Sequence, residues 1–270
     1  MITETRTQMQ ADLDRIRADV IRLAAIASEA IPRATEVLLG MDLVGAQRLI
    51  EDDDIADELS IAIEARCDQV LALQHPVAGD LREVMTALRL ASDLERSIDL
   101  MVSVAKRTRR VYGAELPPRL RGLLERLSEE SARLLRLAID SYVARDPGLA
   151  AAIDDISLRL HELGHHFMQA VFDAHDDGDG VTMPVCVQLA LIGRFYERIG
   201  DHALDIAERV RFLVTGWRHE TQSSDRLEFR RSHEVVAIGA SRVAPPSGTG
   251  TAAPPRRSTL PCDGQGGPST

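Results

Sequence analysis

The sequence predicts an all-α protein: two tandem three-helix bundles related by an internal repeat, with a disordered C-terminal tail. Three observations carry that prediction. Apolar residues recur at helical spacing through long stretches. Aromatic residues are only 3 % of the chain while hydrophobic residues are 44 %, so the core is built from Leu, Ile, Val and Ala, which suits helix-on-helix packing better than a strand-rich sandwich. The pattern Glu-Arg-x-x-Asp occurs twice, at Glu95 to Asp99 and at Glu197 to Asp201, each time on the third of three helical stretches.

Breakers divide the chain into six helical pieces. Gly40 and Asp42 separate the first from the second, and Pro32 falls inside the first, where a proline kinks a helix. Gln74-His75-Pro76 ends the second, because the residue before proline avoids the helical region. The third runs from about Ala78 to Arg110 and stops before Gly113 and Pro117-Pro118. The fourth ends near Arg145, and Asp146-Pro147 then reads as an N-cap with proline at the first helical position. The fifth ends in Asp176-Asp177-Gly178-Asp179-Gly180. The sixth starts near Thr182-Met183-Pro184 and stops before Gly216; its Val185, Leu189, Ile192, Tyr196, Ile199, Ala203, Ile206 and Val210 form one apolar face in steps of four and three. The expected domains are residues 1–112, residues 113–218 and a tail of residues 219–270, whose later part is rich in Gly, Pro, Ser and Thr and has too few apolar residues to offset chain entropy.

The formal net charge of −10 argues against a nucleic-acid partner, which needs clustered Lys and Arg, and is compatible with binding cations. The N-terminus lacks an apolar signal core, and no stretch reaches the roughly 18 apolar residues of a membrane span. Cys67, Cys186 and Cys262 are odd in number and widely spaced, which is no disulfide framework. A cytoplasmic protein is the expectation.

In both signatures two carboxylates stand four residues apart, hence on one helix face one turn apart. Glu95 lies beside Leu94 and Ile98, and Glu197 beside Tyr196 and Ile199, so each pair borders the apolar stripe. Like charges so placed cost roughly 0.2–0.5 kcal/mol even when exposed, and a hard cation with oxygen ligands relieves that cost. Asp53 and Asp57 on the second helix have the same spacing and converge with Glu95 and Asp99 if the two helices are antiparallel neighbours. Against this stands the solvated-face explanation, in which Arg96 and Arg198 neutralise the acids locally.

These residues carry a resemblance. Glu197-Arg198-Ile199-Gly200-Asp201 followed by His202-Ala203 is similar to the repeated signature of the PhoU family, as is Pro76-Val77-Ala78-Gly79-Asp80-Leu81-Arg82 leading into Asp93-Leu94-Glu95-Arg96. Leu49-Ile50-Glu51-Asp52-Asp53 through Glu64 resembles the family's second helix. The resemblance spans roughly residues 5–215. It implies two three-helix bundles, a homodimer, and metal clusters held by acidic helix motifs. It implies negative regulation of phosphate uptake and of phosphate-starvation signalling, by contact with the phosphate ABC transporter ATPase and the phosphate sensor histidine kinase, peripheral to the membrane through those partners, without enzyme activity. Carried over by position, Asp53, Asp57, Glu95 and Asp99 form a first metal site, and Asp155, Glu197 and Asp201 a second. The cation is divalent or trivalent: iron, Mn, Mg or Zn. Two departures stand out: Ser97-Ile98 replaces the usual Ile-Gly in the first copy, and Arg159 stands where an acid is expected after Asp155.

One competing motif points elsewhere. His161-Glu162-Leu163-Gly164-His165 matches the zinc-protease pattern H-E-x-x-H, with Glu162 as base. Met168 and Val171 stand where the longer version of the pattern requires Gly and His.

Overall fold

Three of the helices begin or end at residues whose local chemistry favours it. In the computed structural model, which describes residues 2–178 and 181–217 (side chains from residue 6), seven helices are present: α1 (Ile2–Leu39), α2 (Leu43–Glu51), α3 (Asp53–Gln74), α4 (Ala78–Val111), α5 (Pro118–Ala144), α6 (Pro147–Asp176) and α7 (Met183–Thr215). There is no strand among the described residues. The expected tail of residues 219–270 lies outside them. Asp42 caps α2 by accepting from the backbone N–H groups of Val44 at 3.0 Å and Gly45 at 2.9 Å, which satisfies donors that the first turn leaves without a partner. Asp146 does the same for α6, accepting from Gly148 at 2.8 Å and Leu149 at 3.1 Å, with Pro147 opening the helix. Gly216, at φ 73°, ends α7 and donates to the Phe212 carbonyl at 2.8 Å, a left-handed C-cap that glycine adopts without steric cost.

One expectation changes. The second helix is not continuous from residue 43 to residue 74: it breaks at Asp52, which ends α2 and precedes α3. Asp52 lies within the acidic run Glu51 to Asp54, and its carboxylate pairs with Arg33 of α1 at 2.8 Å. By contrast α1 continues unbroken past Pro32.

Helices α1, α3 and α4 pack together, with α2 laid on α1 and α4; α5, α6 and α7 form the matching set. The two sets do not stand apart. They share one compact unit, Met1–Arg218, joined where α4 meets α7 and α1 meets α5. On α4, Leu90, Leu94 and Met101 are fully buried; on α7, Ile192, Tyr196, Ile199 and Ile206 are. Each such side chain contributes about 1.5–3 kcal/mol by leaving water.

The α4–α7 contact is antiparallel and nearly two-fold. Arg209 of α7 reaches Asp93 of α4 at 2.9 Å, while Arg107 of α4 lies over the Phe195 ring of α7, 4.5 Å from its centre. Counted from the shared signature, Asp93 and Phe195 occupy one position and Arg107 and Arg209 another. Ser97 Oγ and His202 Nδ1 meet between these contacts at 2.9 Å. At the other junction, Thr35 of α1 lies 2.7 Å from Ser128 Oγ of α5 and 2.7 Å from the Tyr196 hydroxyl of α7, all buried.

Candidate metal centre

The first acid group is built by α3 and α4. An open groove between them is lined on one side by Asp57, Ser60 and Glu64 and on the other by Leu88, Ser92 and Glu95. Asp53, half-buried, has its carboxyl pushed up to about 6, first by burial and then by the charges of Asp57 and Asp99, with Lys106 opposing. Glu95, also half-buried, is raised by burial and then by Asp99 and Asp57, with Arg96 opposing. Those mutual effects place the four carboxylates of Asp53, Asp57, Glu95 and Asp99 in one electrostatic group. The burial is shallower than the sequence suggested: Asp57 and Asp99 are exposed, so the group forms a rim on the apolar stripe while Leu94 and Ile98 face the core. Among the described residues, no three His, Cys, Asp or Glu side chains stand together as a ready ligand set. The donor chemistry nonetheless fits a hard cation: four oxygen-bearing side chains stand on two helices, and the charges of Asp57 and Asp99 raise both Asp53 and Glu95, so that a cation relieves both repulsion and desolvation.

The second group has different surroundings. Across the α6–α7 contact, Gly164 lies against the Glu197 carboxylate, a Cβ added at Gly193 meets Phe167 at 2.7 Å, and one added at Gly200 meets Leu160 at 2.5 Å. The α6 number falls as the α7 number rises, so the helices are antiparallel. In that register His161 faces Asp201, with Nε2 at 3.6 Å from a carboxylate oxygen, while Nδ1 donates to the Ser157 carbonyl at 3.0 Å. Arg194, three residues ahead of Glu197 on the same helix face, lies 2.7 Å from Glu197 and 3.9 Å from Asp201. His161 is held above its usual proton affinity, first by its contact with Asp201, with burial opposing.

Two sequence expectations are corrected here. Asp155 does not join Glu197 and Asp201: it is exposed on α6 and lies six residues from His161, or about 9 Å along the helix. The reason is a register shift. Residues 177–182 link α6 to α7, whereas residues 75–77 suffice between α3 and α4, so a match that counts residues alone falls out of register. Likewise the arginine in contact with the second pair is Arg194, at 2.7 Å from Glu197, rather than the signature's Arg198. Sequence reasoning missed Arg194, and it read His161 and Gly164 only as part of the H-E-x-x-H segment; the three-residue spacing of Arg194 to Glu197 was the available pointer to the first. The H-E-x-x-H segment does not gather a zinc site: His161 is turned to Asp201, while Glu162 and His165 are exposed.

The fold and this doubled acidic signature define a class, a duplicated three-helix repeat with carboxylate ladders on its third helices. A PhoU domain matches residues 20–108 and again residues 124–210. The chain is 35 % identical over 212 residues to the phosphate-specific transport system accessory protein PhoU homolog 1 of Mycobacterium tuberculosis, covering 78 % of this chain and 95 % of that one. It is 31 % identical over 206 residues to the PhoU homolog of Rhizobium meliloti, covering 76 % and 86 %. The crystal structure of PhoU from Pseudomonas aeruginosa superposes with a TM-score of 0.72 at 24 % identity, covering 77 % of this chain and 99 % of that one. This chain belongs to the PhoU family. No helix among its described residues is long and apolar enough to cross a membrane.

Proposed function

We propose that this chain is an accessory regulator of phosphate-specific transport. It lowers phosphate uptake and phosphate-starvation signalling when phosphate is plentiful, and it acts by protein contact rather than by catalysis. The observation that carries this reading is the likeness to relatives named as accessory proteins of the phosphate-specific transport system, which extends over 95 % of the length of one of them. Its partners are the phosphate ABC transporter ATPase and the phosphate sensor histidine kinase, met at the cytoplasmic membrane face by a homodimer. Asp53, Asp57, Glu95 and Asp99 take a hard cation, iron, Mn, Mg or Zn, and that cation fixes α3 against α4, setting the surface that a partner reads. What supports the cation is that Asp53 and Glu95 are both raised by burial and by the neighbouring charges of Asp57 and Asp99.

A deletion strain carrying a phosphate-starvation reporter tests the function. At high phosphate the reporter is expected to rise on deletion and to fall again when the chain is restored. A reporter that does not respond overturns the reading. Affinity capture at high phosphate, with the transporter ATPase and the sensor kinase as probes, tests the partners.

A further inference from the structure

We propose that the second acid pair is closed to metal, that Arg194 is its resident cation, and that cation uptake is confined to the first repeat. This deepens the reading of Asp53, Asp57, Glu95 and Asp99 as a cation site and rests on it.

Three observations carry the inference. The Arg194 guanidinium makes a short charge-assisted contact with Glu197 at 2.7 Å and stands 3.9 Å from Asp201, so one half-exposed positive charge sits beside both carboxylates. The facing helix supplies no carboxylate. His161 approaches Asp201 at 3.6 Å and donates its other ring nitrogen to the Ser157 carbonyl, and Gly164 presents bare backbone to Glu197. A metal ion here has to enter beside a guanidinium, with an imidazole already set against Asp201, and an arginine can never serve as its ligand. The first repeat lacks this device. Three residues ahead of Glu95, where the second repeat has Arg194, stands Ser92; the groove it lines also holds Arg89, a further turn away from Glu95, and the facing helix brings Asp53 and Asp57. The duplicated motif is thus a cation-binding ladder in one copy and an internal ion-pair lock in the other.

Manganese(II) is a suitable probe, with metal bound per chain measured by elemental analysis after gel filtration. Replacing Glu95→Gln and Asp99→Asn is expected to cut bound manganese by about tenfold or more. Replacing Glu197→Gln and Asp201→Asn is expected to leave it unchanged, and a fall in that variant overturns the inference. A double-mutant cycle supplies a readout that needs no metal. In the presence of a chelator, Arg194→Ala is expected to lower Tm by about 2–4 °C, and Glu197→Gln made on top of it is expected to cost little more, because the pair acts as a unit. Additive losses overturn the lock. Should the wild-type chain take up no manganese at all, the reading of the first site fails, and the cycle alone then decides whether Arg194 holds the second.

Discussion

The two repeats keep one architecture and differ in charge balance. Leu94 and Tyr196 occupy the same position ahead of their signatures and both are fully buried. One residue further, Glu95 and Glu197 both sit half-buried on the edge of the stripe. From there the copies diverge. The first gathers four carboxylates with Ser92 at the arginine position; the second gathers two, with Arg194 and His161 against them. Where Gly200 lets α7 approach Leu160 of α6, the first copy has Ile98. Packing positions are constrained by every neighbour they touch, so duplication preserves them. Rim charges touch little and are free to change sign, and with them the chemistry of the site.

The largest effect that sharpens this comparison is in the shared core. Leu94→Ala is expected to destabilise the chain by about 2–5 kcal/mol, whereas Tyr196→Phe is expected to cost about 1 kcal/mol, since it keeps the ring and loses only the contact with Thr35. Urea unfolding of the two variants measures both; a greater loss for Tyr196→Phe would place the repeat's stability in that hydroxyl rather than in burial.

The next effect separates the copies by pH. His202 is buried at the α4–α7 junction, and Leu100 holds its position in the first repeat. Burial, joined by Arg198, Arg96 and Arg209 and opposed by Asp201, lowers His202 from 6.5 to about 4. The unfolded chain therefore binds this proton first. The stability contributed by neutral His202 is complete above pH 6.5 and is lost as pH falls toward 4, by up to about 3 kcal/mol. His202→Leu is expected to remove that part of the acid sensitivity, read as the difference between unfolding curves at pH 7 and pH 4.5. Equal sensitivity in both proteins would contradict the assignment.

A smaller effect distinguishes the helix contacts. Ala91 in the first repeat opens onto the groove, but Gly193 at the matching position packs under the Phe167 ring, 2.7 Å from an added Cβ. Gly193→Ala is expected to cost about 1–3 kcal/mol through overpacking, visible as a lowered Tm. An unchanged Tm would show that the ring moves aside freely.

Much of this was legible in the sequence. The helix limits followed from Asp42, Pro76, Asp146-Pro147 and Gly216, because caps and breakers act locally. The repeat followed from the doubled signature, and the face of α7 from its four-and-three spacing. The break at Asp52 was hidden, since no glycine or proline marks it. Asp155 was misplaced because register between helices is set by connection length and by close approaches such as Gly164 on Glu197, neither of which shows in a motif. The role of Arg194 needed only the spacing on its own helix, but its weight against a metal became visible once His161 was found facing Asp201.

One substitution puts the difference between the copies to direct test. Ser92→Arg gives the first repeat the cation that the second already has, at the same place ahead of its glutamate. Manganese bound per chain, compared between this variant and the wild type at equal helicity, is expected to collapse. Uptake that persists undiminished would mean that the arginine does not close the site, and the two acid ladders would then differ for some other reason.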